Sequence, residues 1–323
     1  MNKRPEFENL PFGKDDDPAY SAWGLYGKDD QIGTLNLLTP KKVHEAMGEV
    51  HFGIQINLSL PLTMPRQPLN PTRKPLLHTK TNKGYANDDS IEINTQSSSH
   101  WDGLQHVGYH YLSKDKPVRF YNDLPLDKLG IDRMANRGGI ISRGILLDYA
   151  KWSEDVLNQP VLPFTRQTIS VNDLEAVLAW QNNTQIQPGD ILLLRTGWTK
   201  AYHALSTNEQ MELGLRQGEE RKHIGVEQSK EMLKWHWDKA LSAVATDTMA
   251  YEAWPPKPLN PKEQFCLHEI FLSGWGMPIG ETWDLEKLSE ECWKKEKFSF
   301  LLISQPLNLP NGVASPSNAI AVL

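Results

Sequence analysis

Cysteine is nearly absent: 323 residues contain two, Cys266 and Cys292. Scattered in this way they make neither a disulfide framework nor a paired-cysteine zinc motif, so two reduced, semi-buried thiols are expected. No apolar run approaches the roughly 18 residues of a membrane helix, which predicts no membrane anchor. The opening segment MNKRPEFENLPFGKDDDP is polar and acidic and lacks the apolar stretch of a secretory leader, so the cytoplasm is the expected location. Positive charge is also in short supply. Against 40 Asp and Glu there are 34 Lys and Arg, a formal net charge of −6. Without clustered basic residues there is no electrostatic reason to expect nucleic acid as a partner. Internal repeats, low-complexity tracts and domain linkers are missing too.

What is present describes a globular protein rich in shaped loops. Apolar residues make up 39% and charged residues 23%, an ordinary balance that argues against disorder. Eleven Trp, 22 Pro and 22 Gly favour many turns over a helical bundle. Residues 1–22 read as an N-terminal arm and 23–323 as one domain. Thr39 caps a helix with Pro40 at its first position. Alternation predicts strands at Gly53–Leu60 and Ser90–Thr95, separated in part by the Pro-rich stretch Pro61–Pro75. The short β-rich apolar runs Gly139–Tyr149 and Asp190–Arg195 read as buried strands, as do Ala243–Thr246 and Phe298–Ser304. Helices are expected over Ser170–Gln181, Ser206–Gln217, Gly225–Trp237 and Glu263–Gly274. Strands alternating with helices give the α/β class.

One segment concentrates chemistry: Gln96–His110, QSSSHWDGLQHVGYH, with His100, Asp102, His106 and His110. Residues two apart on an extended chain point the same way, so His100 and Asp102 can converge. If a helix starts near Asp102, His106 lies one turn on, along the same face. Imidazole and carboxylate together suit zinc or manganese. Spacing alone also fits a hydrogen-bonded surface turn.

The same segment resembles the HxGTHxDxPxH signature of the cyclase family, which includes bacterial kynurenine formamidase and isatin hydrolase. Further blocks resemble the family in order: WGLYGKDDQIGTLNLLTP, RGILLD, GDILLLRTGW, VATDTMAYE, HEIFLSGWGMPIGETWDLEKL and NGVASPSNAIAVL. The resemblance spans about Trp23 to Leu323. It implies a single α/β domain of the swivelling β/β/α type with long loops. It also implies a metal-dependent hydrolase that forms homo-oligomers, dimers or tetramers.

Carried over residue by residue, the resemblance makes His100 and Asp102 metal ligands and His106 the proton donor and acceptor. His268 and Glu281 complete the metal site in members with two ions. Trp23 falls among aromatics that line the substrate pocket. The departures are Gln96 at the first histidine of the signature, Ser98 and Ser99 at Gly and Thr, and Leu104 at Pro. Gln96 offers a weaker, harder oxygen ligand or a hydrogen-bond donor to substrate. That favours one ion over two and admits manganese beside zinc.

The residues keep other readings as well. His268 also reads as a packed histidine, and Glu281 as a carboxylate at a helix N-terminus. Asp247 is a turn residue or a partner orienting a ligand. Trp101 is core or pocket wall. His110 is a neighbour of a ligand, substrate-facing or structural. His44, His51, His78, His203, His223 and His236 read as surface or packing residues.

The expected reaction is hydrolysis of a C–N or C–O acyl bond in a small molecule: a cyclic amide, N-formyl amide or lactone. A metal ion activates water, His106 moves the proton, and Ser99 or nearby backbone N–H groups help polarise the carbonyl. Alternatives are a non-hydrolytic cyclase or dehydratase of secondary metabolism on the same residues, or a metal-free binding protein, a reading fed by Gln96. A thiol-dependent enzyme is disfavoured because neither cysteine lies in a nucleophile motif.

Overall fold

The runs IISRGILLD and ILLLR carry apolar side chains on both faces, so each must be covered on both sides. In the structure, a computed structural model that describes residues 3–110, 117–257 and 265–323, both lie inside a large mixed sheet. The strands are β1 (Gln55–Asn57), β2 (Leu77–Asn82), β3 (Asn87–Glu92), β4 (His100–Asp102), β5 (Ile140–Asp148), β6 (Thr168–Ile169) and β7 (Ile191–Arg195). They continue as β8 (Gly225–Val226), β9 (Ala243–Thr246), β10 (Ile279–Glu281), β11 (Ser299–Ser304), β12 (Ala314–Pro316) and β13 (Ala319–Val322). Nine of them form the main sheet, ordered β1-β13-β11-β5-β7-β9-β10-β4-β12 among the described residues. The run β5, β7, β9, β10 is parallel, and the other pairings are antiparallel.

Helices bury the sheet. Pro40–Met47 packs on β5 and β11, while Tyr149–Asp155 lies on β7 and Val171–Trp180 on β5. Local chemistry sets their starts. The Thr39 hydroxyl accepts from the Lys42 N–H at 3.3 Å, and Ser170 with Asp173 forms a reciprocal capping box before Val171–Trp180. Ser206 and Glu209 do the same for Thr207–Leu215.

Three expectations shift. Gly225 and Val226 are not helical: they pair with β6, and the helix starts at Lys230 behind the Ser229 cap. Ser90–Thr95 is displaced to β3, half of an exposed hairpin with β2. Of Glu263–Gly274, residues 263 and 264 lie outside the described residues, and Glu269–Trp275 is wound as a π-helix. Residues 4–23 lie along the chain's own body: Phe7 is buried, and Arg4 stacks 3.5 Å over Trp237. Farther on, Gly33 meets Gly276 so closely that a Cβ at Gly33 would lie 2.1 Å from the Gly276 oxygen. Both glycines have positive φ, which other residues resist.

The core also holds two neutral histidines. His236 bonds the Met232 carbonyl and the Tyr251 hydroxyl, each at 2.8 Å. Burial pushes His236 down to about 4, and burial with Arg221 and Arg216 nearby pushes His223 down to about 3. Below about pH 6.5 the unfolded chain takes up these protons and the folded one does not, so stability falls on acidification until the folded values are reached. At about 1.4 kcal/mol per pH unit for each histidine, the two together remove about 3–5 kcal/mol between pH 6.5 and 4.5. Urea midpoints across that range test this, with His223→Gln expected to flatten the pH dependence by about half.

Candidate active site

Strand β4 is three residues long, HWD, and alternation turns His100 and Asp102 to one side and Trp101 to the other. Its antiparallel register with β10 sets Glu281 opposite His100 and Ile279 opposite Asp102. Three ligand-type atoms therefore meet. His100 Nε2 lies 3.4 Å from Asp102 Oδ1 and 3.4 Å from Glu281 Oε2. One ligand atom from each of the three residues lies within 4.8 Å of the others, and all three are buried.

The tautomer of His100 follows from its other nitrogen. Nδ1–H donates to the Ser98 carbonyl at 2.7 Å, which leaves the Nε2 lone pair facing two carboxylate oxygens. Among the described residues neither His100 Nε2 nor Asp102 Oδ2 has a hydrogen-bond partner. A buried lone pair against two anions demands a cation between them, either a proton or a metal ion. Burial alone would lower the affinity of His100 for a proton, yet Asp102 and Glu281 outweigh it and carry His100 up to about 9. The donor set, one imidazole and two carboxylates, fits zinc or manganese.

Around this triad the remaining residues take separate places. His268 joins from the start of the π-helix, with Nε2 2.8 Å from Glu281 Oε1 and 4.0 Å from Asp102 Oδ2. Its Nδ1 faces Glu252 Oε1 at 2.7 Å. Between two carboxylates, and despite burial, His268 is held well above the usual histidine range. Glu252 was passed over in the sequence although it ends VATDTMAYE; it also accepts from the Leu267 and His268 N–H groups at 2.6 and 3.1 Å.

The expected helix at Asp102 is not formed. A turn follows β4, closed by His106 N–H to the Gly103 carbonyl at 3.0 Å. The turn still brings His106 Nε2 to 3.8 Å from Asp102 Oδ1. Gln96 bridges the two: its amide nitrogen lies 2.6 Å from Asp102 Oδ1 and 3.0 Å from His106 Nε2. Gln96 stands here with its amide nitrogen donating to both, one of the two roles its place in the sequence allowed. Burial, His268 and Arg73 hold His106 below the usual histidine range, with Asp102 pulling the other way. His106 is therefore neutral at neutral pH, with Nε2 accepting.

His106, His268 and Glu281 open onto a cavity of about 240 Å³, whose wall also includes His110. His110 sits against Glu269, its backbone N–H 2.9 Å from Oε2. Three expected substrate contacts lie elsewhere. Ser99 Oγ bonds the Thr282 carbonyl and the Leu60 N–H at 2.8 Å, so it ties loops together. Trp101 is core, stacked edge-on against Trp283, with Nε1 2.9 Å from Ser304 Oγ. Trp23 packs under Arg119 and donates to the Ser273 carbonyl at 2.6 Å; it does not line the cavity. Asp247 accepts four hydrogen bonds from Thr196, Gly197 and Trp198, which fixes the loop after β7. Glu281 is no helix-capping carboxylate, since the next helix begins at Glu286. Among the described residues no helix is long and apolar enough to cross a membrane.

A mixed sheet lodges a histidine and two carboxylates at a shared point beside a small cavity, a candidate metal site in an α/β protein. The family model Cyclase matches residues 56–253, and the chain belongs to that family. A crystal structure described as a novel cyclase is similar at 28% identity and a TM-score of 0.78, covering 94% of this chain and 99% of that one. Isatin hydrolase A from Labrenzia aggregata, bound to benzyl benzoate, shares the fold at 16% identity and a TM-score of 0.53, covering 85% and 94%. Isatin hydrolase A from Ralstonia solanacearum does so at 16% and 0.55, covering 86% and 93%. No curated protein matches the chain significantly.

Proposed function

We propose that this protein is a metal-dependent hydrolase that cleaves a C–N or C–O acyl bond in a small cyclic amide, N-formyl amide or lactone. The observation that carries the reading is the buried lone pair of His100 Nε2 aimed between Asp102 and Glu281, next to a neutral His106 on a cavity wall. His100, Asp102 and Glu281 would hold one divalent ion, zinc or manganese. When bound, such an ion supplies Lewis acidity to a carbonyl and lowers the pKa of water.

The chain's own groups do the rest. Once the Gln96 N–H swings off its lone pair, His106 Nε2 accepts a proton from water in the cavity and returns it to the leaving nitrogen or oxygen. Gln96 donates to both Asp102 and His106 and so fixes the imidazole against the carboxylate. Glu252 clamps His268 beside Glu281. Glu252→Gln is expected to lower activity or metal affinity about 10–100-fold by freeing His268, measured by metal titration and turnover.

The direct test is metal content per chain by elemental mass spectrometry, followed by assay of a cyclic amide, an N-formyl amide and a lactone in oxygen-18 water. One ion per chain with the label in the product carboxylate supports hydrolysis. Turnover without label moves the chain to a cyclase or dehydratase reaction on the same residues. No ion after soaking in zinc and manganese sinks the metal-dependent reading.

A further inference from the structure

Two arginines stand in the wall of the same cavity, Arg73 and Arg221. Arg143 and Arg195, also partly or wholly buried, each meet a buried carboxylate: Arg143 reaches Asp190 at 2.6 Å and Arg195 reaches Asp148 at 2.7 Å. Arg73 and Arg221 form no ion pair among the described residues. Arg73 Nη1 donates to the Gln96 carbonyl at 2.9 Å. Arg221 Nε donates to the Leu69 carbonyl at 3.1 Å, its Nη2 faces the Met249 sulfur at 3.4 Å, and its guanidinium lies 5.5 Å from the Trp254 ring centre.

Each guanidinium has five N–H donors in a rigid fork, so most of these donors remain unspent on the described residues. Both side chains are half-buried, where unspent donors and an uncompensated charge cost free energy. The two also sit close enough to repel. After burial, Arg73 is the main group weakening the hold of Arg221 on its proton. Among the described residues, backbone carbonyls hold the two like charges and neither has an ion-pair partner, while Glu281 on the same wall acts on Arg221 only at longer range. An anion between them would relieve both the repulsion and the unmet donors.

The rest of the wall describes the body attached to that anion. Val107, Met249 and Trp254 are apolar, and Trp254 lies under Arg221. The position relative to the chemistry is also constrained. Arg73 and Arg221 share one cavity wall with His106 and Glu281. A group bound by the two arginines therefore lies in the same small cavity as the acid–base residue and a ligand of the metal site.

We infer that the substrate carries a carboxylate, grasped by Arg73 and Arg221, with an apolar body against Met249 and Trp254 and its scissile acyl group towards His106. This rests on reading the cavity as the substrate site. The arginines thereby select anionic substrates over neutral ones of the same shape, through charge-assisted and bidentate hydrogen bonds.

The test is a binding experiment on chelator-treated full-length protein, so that no metal and no turnover enter it. Phenylacetate and its neutral counterpart phenylacetamide are titrated by calorimetry against wild type, Arg73→Gln, Arg221→Gln and Arg221→Lys. Phenylacetate is expected to bind about tenfold or more tightly than phenylacetamide. Each Gln variant should lose about that factor for the acid alone, and Arg221→Lys should keep part of it. Equal binding of acid and amide, no saturable binding of the acid, or acid affinity unchanged in both Gln variants would overturn the inference. Any of those results leaves the hydrolase reading standing. Conversely, a chain that discriminates acid from amide but never loads metal keeps the arginine grasp and loses the hydrolase.

Discussion

Glu281→Gln should empty the metal site while leaving the fold in place. Glutamine keeps the volume and the strand position, and removes one negative charge from beside His100 Nε2. The charge matters because the site gathers its ligands from two strands through one register: Glu281 opposite His100, Asp102 two residues on. Without it, a divalent ion there would keep one carboxylate and one imidazole of the triad, and the negative charge that faces His100 Nε2 at 3.4 Å is gone. Metal content is expected to fall from about one ion per chain to below about a tenth. With the Lewis acid lost, worth several kcal/mol, turnover should drop about a thousandfold or more. Elemental mass spectrometry and a thermal melt on the same preparation measure both sides. A variant that melts normally and still carries one ion would show that the ion belongs elsewhere in the chain. A variant that fails to fold would be resolved by Asp102→Asn, which removes the facing carboxylate from β4 instead.

The sequence announced some of this plainly and hid the rest for identifiable reasons. Strands β5 and β7 were legible because both of their faces are apolar, and the helix Val171–Trp180 because Ser170 and Asp173, three residues apart, mark its start. His100, Asp102 and His106 were legible as a group because they are local. Their partner Glu281 rested on family resemblance alone, since the contact that matters is an antiparallel pairing between distant segments, and the strands that make it are three residues long and carry no pattern. Arg73 and Arg221 had no mark at all: one lies in a Pro-rich loop, the other after a short charged turn. Ser99 and Trp101 are a different matter. Once His100 and Asp102 are given one face of an extended segment, alternation assigns Ser99 and Trp101 to the other. The structure puts them there, bonded to Thr282, Leu60 and Ser304, away from the cavity. The period of the strand already contained that answer.

His106→Ala should separate proton transfer from metal binding. His106 stands on a turn beyond β4, its Nε2 3.8 Å from Asp102 Oδ1 and engaged with Gln96 instead of with the shared point of the triad. Losing its ring removes a base and leaves His100, Asp102 and Glu281 untouched, so metal content should stay at the wild-type level. General acid–base catalysis by a positioned histidine is worth about 10²–10⁴-fold, and kcat should fall by that amount. The pH profile supplies a second reading with a definite sign. Burial, His268 and Arg73 depress the pKa of His106, so the neutral form that accepts a proton persists below about pH 6.5, the usual histidine value. The wild-type rate should therefore hold as pH falls through 6.5 and decline only at lower pH, as the ring takes up a proton. In His106→Ala that acidic limb should vanish, leaving a slow rate whose pH dependence belongs to the metal site alone. Loss of the ion along with the activity would exchange the roles, making His106 a ligand. An intact ion with an unchanged acidic limb would mean that another group carries the proton, and His268, clamped between Glu252 and Glu281 on the same cavity wall, would be the residue to replace next.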